Sequence, residues 1–144
     1  MNQMTANIAI TVSAIIDAPV QKVWEYWTNP HHIISWNNAS PDWHTPRAEN
    51  DLRVGGKFVS RMEARDGSIG FDFEGEYINV EPLKLIEYVL ADDRKIKVYF
   101  EPDGDKTKIT EVFDAETENP VEMQQAGWQA ILDNFKKYVE SSEI

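Results

Sequence analysis

The chain has 144 residues, a formal net charge of −11 and 42% hydrophobic residues, which suits one folded domain rather than a disordered chain. Such acidity disfavours sequence-independent binding to nucleic acid and to anionic lipid, both of which need a basic face. Cysteine is absent, which removes disulfides, thiolate nucleophiles and cysteine-ligated metals together.

Residues 8–16, IAITVSAII, are rich in β-branched side chains with partial alternation and read as a strand. Asp17-Ala18-Pro19 then opens a short helix running to about Trp27, with proline near its first position. Thr28-Asn29-Pro30 ends that helix and begins another short turn over HHIISW. Residues 37–56 read as an irregular excursion around Trp43, closed by Gly55-Gly56. That glycine pair fits a strand-entry turn or bulge. It is no phosphate loop, because no Lys-Ser/Thr follows and the next element is a strand.

From there to Ala115 the pattern is strands and turns. Lys57–Arg65 and Ile69–Val80 flank Asp66-Gly67, a hairpin signal. Leu85–Leu90 and Arg94–Glu101 flank Asp92-Asp93, and Asp103-Gly104 turns into Lys106–Asp114. The last element is a long helix over roughly 120–140, with Asn119 suited to the N-cap and Pro120 to the first helical position. Val121, Trp128, Leu132, Phe135 and Val139 make one apolar stripe at helical spacing, and Met123, Gly127, Ala130, Ile131 and Tyr138 an adjoining one. Gly127 costs a helix roughly 1 kcal/mol against alanine, which close backbone approach or room for a ligand would offset. The expected fold is α+β, in the order β-α-α-β-β-β-β-β-α. About six or seven antiparallel strands form a curved sheet wrapped around the C-terminal helix, in a single domain over 1–144.

Four sequence words carry a family resemblance: APVQKVWEYWTNP after the first strand, DLRVGGKF, GSIGFDFEGEYINVEP, and the terminal GWQAILDNFKKYVE. In this order and spacing the chain resembles the START-like, or helix-grip, fold and its activator-of-heat-shock-protein-ATPase-like branch, over nearly its whole length. The resemblance implies a hydrophobic cavity between sheet and helix. It does not imply one activity, since relatives include lipid carriers, polyketide cyclases and co-chaperone domains. A chaperone partner and a stress-response setting follow from the family name alone.

Alternation assigns the inward faces. Ile69, Phe71, Phe73 and Tyr77 share one face of their strand, Phe58, Ser60 and Met62 one of theirs, and Ile96, Val98 and Phe100 one of theirs. Most of these are core. Those toward the 37–56 excursion would touch a ligand, and Trp36 and Trp43 would plug locally or form the mouth. Glu111 is the odd residue, because Thr107, Ile109 and Phe113 share its inward face. Unless a bulge turns it outward, it holds a polar ligand group, acts as acid or base, or makes a structural bond. Arg61 and Arg94 are candidate partners for it.

The expected pocket set is therefore Trp36, Trp43, Phe58, Met62, Phe71, Phe73, Phe100, Glu111, Phe113, Met123, Gly127 and Ile131. His31, His32 and His44 lack metal-ligand spacing, and the two adjacent histidines read as solvated, so neither metal nor other cofactor is expected. No Ser-His-Asp arrangement is visible. An enzyme would need a converging acid/base pair where the sequence offers Glu111 alone, so no turnover is expected. No apolar run suffices to cross a bilayer, and no basic segment followed by an apolar core stands at the N-terminus. The expected protein is cytoplasmic, without membrane insertion, and binds a small hydrophobic or amphipathic molecule.

Overall fold

The computed structural model describes residues 8–141. The first strand, β1 (Ala9–Ile16), buries Ile10, Val12 and Ile16 and exposes Ala9, Thr11, Ser13 and Ile15. This is the alternation that a strand with one covered face requires. Two short helices follow, α1 (Val20–Thr28) and α2 (Pro30–Trp36). Asn29 ends the first and caps the second, its side chain accepting from the His31 amide at 2.9 Å.

Six further strands complete the sheet: β2 (Trp43–Asn50), β3 (Lys57–Ala64), β4 (Gly70–Glu81), β5 (Leu85–Leu90), β6 (Lys95–Asp103) and β7 (Lys106–Asp114). The seven strands pair antiparallel in the order β1-β7-β6-β5-β4-β3-β2. The helix α3 (Val121–Ser141) closes the chain. This is the expected curved sheet with a long C-terminal helix.

The excursion over 37–56 contains a strand that its sequence hides. WHTPRAEN includes Pro46 and three charged or titratable side chains, which argue against a central strand. β2 is an edge strand with one neighbour, and its pairing with β3 slips between His44 and Arg47, around the proline. An edge tolerates the missing donor. The glycine pair closing this segment behaves as its sequence suggests. Gly55 has φ +84°, and a Cβ on Gly56 would collide with the Asp51 carbonyl oxygen.

α3 starts at Val121, with the Pro120 carbonyl accepting from the Met123 and Gln124 amides. The start is one residue later than the sequence signals place it. Its buried residues are Gln124, Leu132, Phe135 and Val139. Phe135 is wedged edge-on against Trp27 and Trp36, at 4.9 and 4.8 Å between ring centroids. This aromatic knot ties α1, α2 and α3 into one layer.

On its outer flank α3 lies along β1. Gln125, Gln129 and Lys136 donate from their side chains to the carbonyls of Thr11, Ser13 and Ile15. These three alternate carbonyls lie on the side of β1 away from β7. Glu140 accepts from the Asp17 amide and from Lys136, pinning the end of the helix to the turn after β1.

Candidate functional site

β7 places Glu111 between two apolar neighbours, paired in register with Val12 of β1 and Val98 of β6. Ile109 and Phe113 flank it on the same face and are fully buried, so period two carries the carboxylate inward with them. Glu111 is 4% exposed and has neither a hydrogen bond nor an ion pair among the described residues. Burial pushes its carboxyl up to about 8. At neutral pH the acid is then mostly protonated, because the charged form has no partner to replace water. The phenol of Tyr88 is pushed well up by its own burial first, and then by Glu111.

A cavity of about 360 Å³ opens in front of Glu111. Its walls come from α1 and α2 (Trp27, Trp36), β3 to β5 (Phe58, Phe73, Tyr88) and α3 (Trp128, Ile131). Its other polar groups are Asn37, Asn50, Ser60, Tyr77 and Gln124, beside the charged Glu49, Arg94 and Glu116. Such a lining, mostly apolar in surface with polar groups among its aromatic walls, suits a small organic molecule. Phe71 lines the cavity and is still 48% exposed, so it stands at an opening.

The supporting shell is built from specific contacts. Phe58 lies over Gly75, its register partner on β4, so closely that a Cβ there would be 2.9 Å from the ring. Tyr77 donates its hydroxyl to the Asn50 side chain, tying β4 to the end of β2, and burial pushes this phenol up. Gln124 accepts from the Glu116 amide and donates to the Glu116 and Asn119 carbonyls, which folds the β7–α3 loop onto the cavity rim.

Of the twelve expected pocket residues, the structure brings Trp36, Phe58, Met62, Phe71, Phe73, Glu111 and Ile131 together at this cavity. Five stand elsewhere. Phe113 is covered by Trp128, whose ring stacks on it at 3.9 Å and forms the wall instead. Phe100 lies beneath Trp24 and Trp27, at 5.0 and 5.9 Å, and Trp27 takes its place at the cavity. Trp43 sits at the start of β2, against Phe71 at 6.1 Å, beside a separate outer groove. Met123 is 60% exposed, because the buried face of α3 begins at Gln124, one residue further round the helix. Gly127 is not at the cavity wall, and a Cβ added there would meet nothing within 4 Å, so no close backbone approach requires this glycine.

Neither arginine considered for Glu111 reaches it. Arg61 binds Glu63 and Asp72, while Arg94 lines the cavity with its Nε held by Asp92 at 2.8 Å. The adjacent histidines differ. His31 is exposed, but His32 stacks on Tyr26 at 3.9 Å and bonds Tyr138 at 2.8 Å, and burial followed by His31 lowers its pKa. No cluster of metal-ligating side chains occurs among the described residues, and none of their helices is long and apolar enough to cross a membrane.

Sequence reasoning missed Trp27, Tyr88, Gln124 and Trp128 as wall residues. The two tryptophans had a signal, since each belongs to an apolar helix stripe. Gln124 had none, because a polar residue within a helix is ordinarily read as outward.

Residues 17–140 match the family profile described as Activator of Hsp90 ATPase homolog 1-like protein. The chain is similar to an AHSA1-like protein of Aeromonas hydrophila solved in solution, at 46% identity over 93% of both chains and a TM-score of 0.88. A Cytophaga hutchinsonii protein solved in solution is 52% identical over 92% of both chains, with a TM-score of 0.80. A Nitrosomonas europaea crystal structure shares the fold at 18% identity and a TM-score of 0.80, covering 96% of this chain and 97% of that one. No curated protein matches the chain.

Proposed function

The chain belongs to the Activator of Hsp90 ATPase homolog 1-like family, and from that premise we propose that it binds a small hydrophobic or amphipathic molecule between its sheet and its C-terminal helix. The observation that carries this reading is the aromatic-walled cavity of about 360 Å³ with one buried, unpaired carboxyl group at its wall. The volume lies within the usual range of about 300–1,000 Å³ for small-molecule sites. Apolar walls supply affinity, and a single polar handle sets orientation. In this reading the protein works in the cytoplasm, and its activity is binding rather than turnover. A cyclase-like reaction would need a second group converging with Glu111.

Titration with an environment-sensitive apolar dye, beside a native mass spectrum of the purified protein, tests the proposal. Saturable dye binding that Ile131→Trp abolishes supports it. Dye binding unchanged in that variant, with its fold intact, sinks it.

The second reading is a co-chaperone-like interaction module, favoured by the half-exposed Phe71 lying against Trp43. Addition of the protein to a heat-shock ATPase, with phosphate release as readout, separates the two. Stimulation lost in Phe71→Ser would move the assignment to this module.

A further inference from the structure

Resting on the binding reading above, we infer that the cavity takes a hydrophobic amine: an aromatic or alkyl body carrying one cationic nitrogen that pairs with the Glu111 carboxylate. Three observations point this way. The first is the orphaned acid. Glu111 is almost fully enclosed between Val12 and Val98, with no donor of this chain bonded to it among the described residues. A buried carboxyl in such a place is costly unless something completes it.

The second is the balance of charge around the cavity. Glu49, Glu111 and Glu116 line it against Arg94 alone; Arg94 is held by Asp92, Glu49 by Arg47 and Glu116 by the Glu118 and Asn119 amides, which leaves Glu111, among the described residues, as the lining acid without a partner. A fatty acid or other anion would find one guanidinium there, already committed to Asp92, and among the described residues no cation free to pair with it. The third is the wall itself. Trp27, Trp36, Phe58, Phe73, Tyr88 and Trp128 line it with aromatic rings, a residue type whose faces attract cations at a desolvated site. The net charge of −11 steers cations toward the molecule as well.

The groups facing Glu111 across the cavity fix the proton balance. Tyr77 and Tyr88 stay neutral phenols, and from α3 the cavity receives Gln124, Trp128 and Ile131. When an ammonium ion enters and pairs with Glu111, the carboxyl O–H bond breaks and its proton leaves to solvent. Carboxylate and ammonium remain as the buried pair. A neutral ligand that merely accepts a hydrogen bond from the acid releases nothing.

The experiment is calorimetric titration of the whole protein with three isosteric probes: naphthylmethylamine, naphthylmethanol and naphthoate. The expected result is an amine bound about ten-fold or more tighter than the alcohol, as a charge-assisted bond implies, with naphthoate weakest. Comparison of buffers with different ionisation heats at pH 7 should show close to one proton released per amine. In Glu111→Gln the preference for the amine over the alcohol should vanish.

Equal or tighter binding of the alcohol or naphthoate overturns the inference and leaves the binding reading intact. An amine preference that survives in Glu111→Gln is surface attraction and overturns it too. Binding of none of the three probes overturns the binding reading and the inference together. If the variant fails to fold, proton release by the wild type decides alone, and its absence counts against the amine.

Discussion

Trp128 of α3 and Phe113 of β7 stack with ring centroids 3.9 Å apart and planes 16° from parallel. The contact fastens the helix to the sheet and sets the inner limit of the cavity, because Trp128 also meets Phe73 edge-on at 6.1 Å. Trp128→Ala should therefore cost about 3–5 kcal/mol. Urea denaturation measures it. A loss below about 1 kcal/mol, the scale of an exposed site, would mean that the stack carries no stability.

Glu111 should make stability fall as pH rises, against the usual behaviour of carboxylates. Its folded value of about 8 lies above the unfolded value of about 4.3, so the folded state holds the extra proton between them. The contribution is fully present below the unfolded value and is lost as pH rises through the folded one. Glu111→Gln should be close to wild type near pH 5 and more stable than it near pH 9. The gain should reach a few kcal/mol, since each pH unit separating the folded and unfolded values is worth about 1.4 kcal/mol. Denaturation curves at the two pH values check this; parallel pH profiles for the two proteins would show that the acid does not titrate there.

Two glycines should respond to alanine with opposite signs. At Gly75 the added methyl would meet the Phe58 ring at 2.9 Å and the Val89 carbonyl at 2.8 Å, so Gly75→Ala should destabilise by about 1–3 kcal/mol. At Gly127 nothing stands within 4 Å, and Gly127→Ala should stabilise by roughly 1 kcal/mol through helix propensity. Thermal melts of both variants give the signs directly. A destabilised Gly127→Ala would reveal a contact that the geometry lacks.

Phe71 should control access rather than stability, since it is half exposed and still lines the cavity. Phe71→Ala should change the denaturation midpoint little, within about 0.5 kcal/mol, while speeding dye association and dissociation. Stopped-flow fluorescence reads both rates. Unchanged rates would place the opening elsewhere.

The layers of the fold were legible because each rests on a strong local period. The α3 stripe of Trp128, Leu132, Phe135 and Val139 and the alternation that turns Glu111 inward are both readable in one dimension. β2 was hidden because an edge strand needs only one ladder, which let Pro46 and polar residues occupy it. The site was half legible for a related reason. Alternation says that Phe100 and Phe113 face inward, but it cannot say that Trp27 and Trp128 from distant helices will cover them. Gln124 illustrates the other limit. Its place was set by the carbonyls of Glu116 and Asn119, partners that exist only once the loop has closed.

The side chains that α3 lends to β1 act as a substitute for an eighth strand. Gln125, Gln129 and Lys136 occupy alternate carbonyls on a rim that would otherwise be open to pairing with another chain. Lifting the helix to admit a guest would strip all three at once and leave that rim sticky. The molecule thus couples the integrity of its interior to its own resistance to aggregation. Replacing both glutamines by alanine should accordingly raise the tendency to form fibres, visible with an amyloid-sensitive dye, before it alters the affinity for any small molecule.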